Sequence, residues 1–488
     1  MLEPVPDPAS LPLDVPPPGP RGRPLIAWAV ILALVLVVVL VQTYRPRARG
    51  NSEEDRFGEL TITVQGRHLV GFASFPGVSR KELYHQAIPL NSGPVGQRLR
   101  FVILAGELAG PDEALRQLDE LQQKIAAQQV EPSPTQRTLL TILRKVYTDY
   151  RDGRLQALSL DESERQFLRQ ELGWFGDLAL APPEDPDPGE RAAVVRSARR
   201  TAVVLIVTFL GAVGLGVVGF VGLVAMLILL ALGRLRGGLS CGRSPGGVYA
   251  ETFAWWMVLF LGLSLLTELT PLRHGGLLFK GSVSLLSLAA LAWPVLRGVP
   301  WSQVRQDIGW TAGRRGLLEP LIGAACYVMS FPLVFLGLLL TLLLLAVQNL
   351  LVGSAPVDSF DPGKAPAHPI VHELARAGWR EWLTILFLAA VVAPVVEETM
   401  FRGVLYRHLR EASCRIGPVL SVLLSSTVVS FVFAVIHPQG LVTVPALMAL
   451  AYGFAFAREW RGTLVPAIVG HGLNNALITI VAILLLGR

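Results

Sequence analysis

Long stretches of this chain are uniformly apolar, and only one broad region alternates between apolar and polar positions. Apolar runs lie near residues 24–44, 202–232, 252–268, 281–296, 318–349, 382–400, 419–436, 441–457 and 463–486. A helix needs about 20 apolar residues to cross the roughly 30 Å of a bilayer's hydrocarbon. The pattern therefore predicts an N-terminal anchor followed by eight membrane helices. The runs at 202–232 and 318–349 are long enough to tilt, to extend beyond the bilayer or to hide a break. The first run is longer than a signal-peptide core and no small-x-small cleavage site follows it, so it reads as an uncleaved signal anchor.

Between these runs the chain has a different texture. Residues 1–23 are proline-rich and end in Arg21-Gly22-Arg23, the composition of a disordered tail. Residues 45–200 have the composition of a soluble domain and its linker, and 201–488 that of the membrane bundle. Within 45–200, Glu59 to Val64 alternates with period two and predicts a strand, with Gln65-Gly66 as a turn. Helices are predicted from Pro111 to about Gln129, from a Ser133 cap with Pro134 at the first position on to Tyr150, and from Asp161 onward. Ala181 to Gly189 reads as a linker. The expected fold is an all-α polytopic membrane protein with an inserted soluble domain, α+β or mostly helical. No catalytic constellation is visible in that domain, and His68 and His85 read as ordinary surface or packing residues.

Composition narrows the function. The chain is 52% hydrophobic and only 16% charged, which excludes an ordinary soluble protein. Its formal charge of +6 does not indicate nucleic acid, because arginines collected in loops between spans account for the excess. Arg234, Arg314, Arg402 and Arg458 fall on the side that carries the N-terminus. That bias predicts a cytoplasmic N-terminus, the 45–200 domain on the outer face, and a bacterial plasma membrane as the location. The arginines flanking 45–200 oppose it, although long loops translocate largely regardless of charge. Cys241, Cys326 and Cys414 are far apart in sequence and read as small apolar fillers, not as a disulfide framework.

Candidate chemistry lies near the C-terminus. Glu397 and Glu398 sit inside the apolar run Ala393-Pro394-Val395-Val396-Glu397-Glu398, and an acid at the centre of a span costs roughly 2.5–3.5 kcal/mol. Glu398 and Arg402 are four apart and share a helix face, so Glu398 has a partner. Glu397 points about 100° away and is free to face a cavity. Phe433 and His437 are four apart, as are His471 and Asn475. Counting at 1.5 Å per residue, Glu397 lies roughly 21 Å from one end of its helix and His437 roughly 28 Å along the returning one. The acid, both imidazoles and the amide are thus expected in one layer. Such a layer can hydrolyse an amide: Glu397, with His437, deprotonates a water while His471 and Asn475 donate to the oxyanion. Alternatively His437, His471 and a carboxylate bind Zn2+. The metal-free version is preferred, since there is no His-Glu-x-x-His helix and Asn475 suits an oxyanion donor better than a ligand.

Glu397-Glu398-Thr399-Met400-Phe401-Arg402, Phe433 to His437 and His471 to Asn475 resemble the Glu-Glu-x-x-x-Arg, Phe-x-x-x-His and His-x-x-x-Asn motifs of the CAAX prenyl protease and bacteriocin-processing family, lysostaphin-resistance-A-like. The resemblance covers about residues 318–488. It implies an intramembrane endopeptidase acting on a peptide or lipidated protein, with Glu397 as base, His437 as its partner and His471 and Asn475 as oxyanion donors. Family members have often been called metalloproteases, so the resemblance leaves metal dependence open. Two other readings are a non-proteolytic immunity or scaffold protein of the same fold, whose 45–200 domain recruits a partner, and a transporter. The chain shows no inverted repeat to favour the last.

Overall fold

The computed structural model describes residues 22–44, 52–155, 158–183, 188–235, 237–239, 246–270, 275–352, 360, 374 and 377–486. Most of the proline-rich tail, Cys241 and parts of the linkers lie outside them. Every regular element among the described residues is helical, and nine helices are long and apolar enough to cross a membrane. The chain is an all-α, multi-pass membrane protein.

The anchor, α1 (Pro24–Tyr44), leads into a polar segment of seven helices: α2 (Ser52–Ala73), α3 (Arg80–Ala87), α4 (Val95–Ala109), α5 (Pro111–Ala127), α6 (Pro134–Arg151), α7 (Glu162–Leu172) and α8 (Trp174–Leu180). The expected strand at 59–64 is instead the middle of α2, and the expected turn at Gly66 is helical too. Ile62, Leu69 and Val70 are the residues of α2 that the core buries, a spacing of seven and eight that only a helix presents on one side. The alternation was local, and tertiary packing overrode it. Capping signals were more reliable. Ser133 caps α6 and Asp161 caps α7, each reciprocated three residues on, by Gln136 and by Glu164.

α9 (Pro188–Ala231) begins fourteen residues before the apolar run near 202, so the arginines from 191 to 200 lie on the same helix as that run. Arg191 is fixed by a bidentate pair to Glu107 at 2.6 and 2.8 Å. The bundle continues with α10 (Val248–Leu269), α11 (Gly276–Leu296, with a 3-10 turn at Ser287–Leu291), the short α12 (Trp301–Ile308) and α13 (Glu319–Val352). It is completed by α14 (Trp379–Ala412), α15 (Pro418–Ile436), α16 (Val444–Arg461) and α17 (Val465–Leu486).

Proline shapes two of these helices. Pro332 in α13 has no N–H for the carbonyl four residues back, that of Val328, and a Cβ built on Gly219 of α9 would lie 2.0 Å from that oxygen. In α14 the π turn carries the bonds five residues back, as from the Ala393 N–H to Leu388, so Pro394 leaves the carbonyl of Ala389 without a backbone donor, and a Cβ on Gly472 of α17 would lie 2.5 Å from the adjacent carbonyl of Ala390. In each case a glycine lets a neighbouring helix approach the turn before the proline closely. α14 also carries π-helical turns at Leu388–Val392 and Thr399–Leu405, on both sides of the glutamate pair.

Two acids inside the bundle are held by arginine clamps. Arg461 clamps Glu319 through two bonds of 2.7 and 2.9 Å, and Arg410 clamps Glu459 at 2.9 and 3.0 Å. α1 is part of this bundle and not a loose tether. Ala27 and Ile31 are buried, and Trp28 Nε1 donates to His408 Nε2 at 3.2 Å. At its far end Gln42 Nε2 donates to the carbonyl of Ile436 at 3.3 Å, capping the end of α15 beside His437. One cysteine reading needs correction. Cys414 is disulfide-bonded, because a fold can close any sequence distance, whereas Cys326 is free.

Candidate active site

The site forms where α14, α15 and α17 meet. Glu398 and Arg402, one turn apart on α14, are fully buried and joined at 2.8 Å. The Arg402 guanidinium lies over the rings of Phe433 and Phe454, 4.6 and 5.4 Å from their centres, and its Nη2 donates to the carbonyl of Ala451. An isolated charge could not be kept at this depth, and the ion pair together with stacking allows it.

The same carboxylate organises a histidine. His471 Nδ1 lies 2.8 Å from Glu398 Oε1, so Nδ1 carries the proton and donates it. Phe454 stacks on the His471 ring at 5.2 Å. His437 is held in the equivalent way, with Nδ1 donating at 2.6 Å to the carbonyl of Phe433 and its ring 4.1 Å from that of Phe433. Both imidazoles are therefore Nδ1–H tautomers, each leaving an Nε2 lone pair.

Those two lone pairs face one atom. Glu397 Oε2 lies 3.8 Å from His437 Nε2 and 3.8 Å from His471 Nε2, and it is buried with no hydrogen-bond partner. Three acceptors thus converge with no donor among them, a deficit that the two protons of one water would correct at two of the three. Glu397 and His437 are also the accessible members, their side chains 26% and 19% exposed, whereas those of Glu398 and Arg402 are at 0%.

Asn475 occupies a different position in the arrangement. Its Nδ2 donates to the carbonyl of Ala389 at 2.9 Å, and its Oδ1 accepts from Asn474 Nδ2. It braces the π turn that precedes Pro394, and one N–H of its amide remains. Glu397, Glu398, Arg402, Phe433, His437 and His471 are one contact network; Asn475 adjoins it through the backbone of α14. Nothing in the sequence marks Phe454 as a platform for His471, Tyr327 as a partner of Asn474 at 3.4 Å, or Trp310 as the donor to Thr399 Oγ1 at 3.0 Å. Each lies far along the chain from the residue it supports, so only packing reveals it.

The separations among Glu397, His437 and His471 are wider than those of ligands on a closed zinc site. Ligands about 2.0–2.1 Å from a tetrahedral zinc lie roughly 3.3 Å from one another, shorter than the 3.8 Å separations here. Among the described residues no three His, Cys, Asp or Glu side chains are grouped as a metal site.

Comparison with known proteins finds similarity over the segment that holds these residues. Residues 379–477, which include every motif residue named above, match the family model described as Type II CAAX prenyl endopeptidase Rce1-like. Over 99 residues the chain is 26% identical to the membrane-embedded CAAX protease MroQ of Staphylococcus aureus (strain USA300), an alignment covering 20% of this chain and 39% of that relative. The chain thus spans about two fifths of the length of the curated relative it matches. No solved structure matches it. Over residues 379–477 this multi-pass membrane chain is accordingly similar to the CAAX prenyl protease and bacteriocin-processing family that its motifs resemble.

Proposed function

We propose that the chain is an intramembrane endopeptidase that cuts a membrane-proximal or lipid-modified peptide, CAAX-type prenylated proteins being one candidate class. Residues 318–488 are its catalytic core. The observation that carries this reading is the buried, unpartnered Oε2 of Glu397 between two imidazole nitrogens.

A water at that point donates to Glu397 Oε2 and His437 Nε2, which leaves an oxygen lone pair for the scissile carbonyl. As the O–C bond forms, Glu397 takes the water's proton. Negative charge collects on the former carbonyl oxygen. Once His471 has taken up a proton at Nε2 from solvent, beside the Nδ1–H it shares with Glu398, it donates that Nε2–H to the oxyanion, and the free N–H of Asn475 is the second donor. Collapse of the intermediate breaks the C–N bond, and Glu397 passes its proton to the departing amine. Low polarity around the site makes each donor worth more than in water.

The test is cleavage in proteoliposomes, using a prenylated CAAX peptide beside an unprenylated membrane-anchored one. Wild type is expected to cut at least one, and Glu397→Ala and His437→Ala neither, with unfolding temperatures unchanged. Cleavage by a folded Glu397→Ala protein would remove the assignment. A biological activity that survives this substitution would identify a non-proteolytic immunity or scaffold protein instead.

A further inference from the structure

The polar segment contains a cavity of about 820 Å³ bounded by α2, α7, α8 and the first turns of α9. Its charges are unevenly satisfied. Arg169 holds both acids of the lining, Glu190 at 3.1 Å and Asp177 at 3.6 Å. Arg67, also in the lining, makes no hydrogen bond or ion pair among the described residues. Its guanidinium lies 5.6 Å from the centre of the Trp174 ring, and its Nε is buried without an acceptor. Ser197 Oγ, also in the lining, is likewise buried with no partner.

An unpaired cation in a partly buried site is costly. Burial first, and then the neighbouring Arg200, hold the Arg67 guanidinium below the ordinary arginine value, with Asp177 opposing only in part. An anion would relieve both. A volume of this size falls in the range of small-molecule sites. The Trp174 indole N–H is already given to the Val194 carbonyl, so the ring offers the anion's carrier its apolar face.

Depth selects the kind of anion. α9 runs without a break from this cavity into the bilayer, and Ser197 precedes the apolar run near 202 by five residues, roughly 8 Å of helix. The head-group layer on each side of the hydrocarbon is about 5–8 Å thick. We propose that this cavity is a binding site for a phosphate-bearing anion, either a lipid head group or a soluble phosphate ester, held by Arg67 and Ser197 against the face of Trp174. The arginine supplies the paired donors that phosphate oxygens accept, and the hydroxyl a third.

The test uses the full chain in detergent. Retention of phosphatidylglycerol, with phosphatidylcholine as comparison, is read by native mass spectrometry, and sn-glycerol 3-phosphate is titrated calorimetrically. Wild type is expected to bind at least one probe, Arg67→Gln at least tenfold more weakly, and Ser197→Ala several-fold more weakly. Arg67→Lys keeps the charge and is expected to fall between. Should Arg67→Gln fail to fold, Ser197→Ala and Arg67→Lys carry the comparison. A loss confined to phosphatidylglycerol assigns the site to lipid, and one confined to glycerol 3-phosphate to a soluble ester. Wild-type binding of neither probe, or equal binding by wild type and the folded variants, would overturn the proposal.

Discussion

Asn475 on the last helix donates its side-chain N–H to the carbonyl of Ala389 at 2.9 Å, on the turn that precedes Pro394. Proline cannot supply a backbone N–H to the preceding turn, so part of the helix carrying the glutamate pair is satisfied from outside. Asn475→Ala should therefore lose about 1–2 kcal/mol of stability. Pro394→Ala restores a local donor, and the double variant should lose less than the two single changes combined. A thermal-unfolding cycle in detergent reads this coupling. Strict additivity would show that the amide does not compensate for the proline.

Gly472 makes the second contact between the same helices. A side chain there would meet the carbonyl of Ala390, which is backbone and cannot rotate away. Gly472→Val should cost about 1–3 kcal/mol or more and abolish cleavage by moving His471. A variant with wild-type stability and activity would show that the two helices need not approach so closely.

Arg402 shares Glu398 with His471, inside a cage of phenylalanine rings. Removing it leaves a buried carboxylate half-paired, so Arg402→Met should lose about 3–5 kcal/mol. Arg402→Lys should rescue little, since a lysine cannot stack as a plane or reach Glu398 and the Ala451 carbonyl together. Urea or thermal titration of the purified variants decides the matter, and full rescue by lysine would argue against the stacking.

Gln42, on the N-terminal anchor, caps the helix that ends beside His437. Gln42→Leu keeps the size and removes the donor, and its expected effect is a fall in kcat of about five- to tenfold, equivalent to about 1 to 1.4 kcal/mol. KM and lipid insertion should be unchanged. Unaltered kcat would reduce the anchor to a tether.

Asp161 gives a prediction with a pH sign. The Ser163 hydroxyl first, and then the Glu164 backbone N–H, hold its carboxyl below the usual aspartate range. Its folded value therefore lies below the unfolded value of about 3.9. The cap contributes fully above that unfolded value and is lost as pH falls through the folded one. Exchange protection at the Glu164 amide, corrected for intrinsic rate, should decline over that window, and Asp161→Asn should remove the decline. Protection that is flat with pH in wild type would dissociate the carboxylate from the cap.

Much of this was legible in the sequence because bilayer thickness and helix caps leave short, local signatures. The apolar runs located the membrane helices, Ser133 and Asp161 marked helix starts, and four-residue spacings anticipated the Glu398–Arg402 pair and the Phe433–His437 face. What escaped was set by packing. The alternation at 59–64 gave way to a helix whose buried residues are Ile62, Leu69 and Val70. The disulfide at Cys414, the stacking of Phe454 on His471 and the cap from Gln42 join positions with no sequence relationship. Arg191 to Arg200 read as part of the 45–200 segment because charge hides a helix when only hydropathy is followed, yet α9 is continuous through them.

The most direct measurement is the cleavage rate of Glu397→Gln in proteoliposomes, set beside its unfolding temperature and that of wild type. Glutamine retains the shape and cannot accept the water's proton. A rate at least 10²- to 10⁴-fold lower is predicted, with no loss of stability. A folded Glu397→Gln protein that cuts at the wild-type rate would contradict the account.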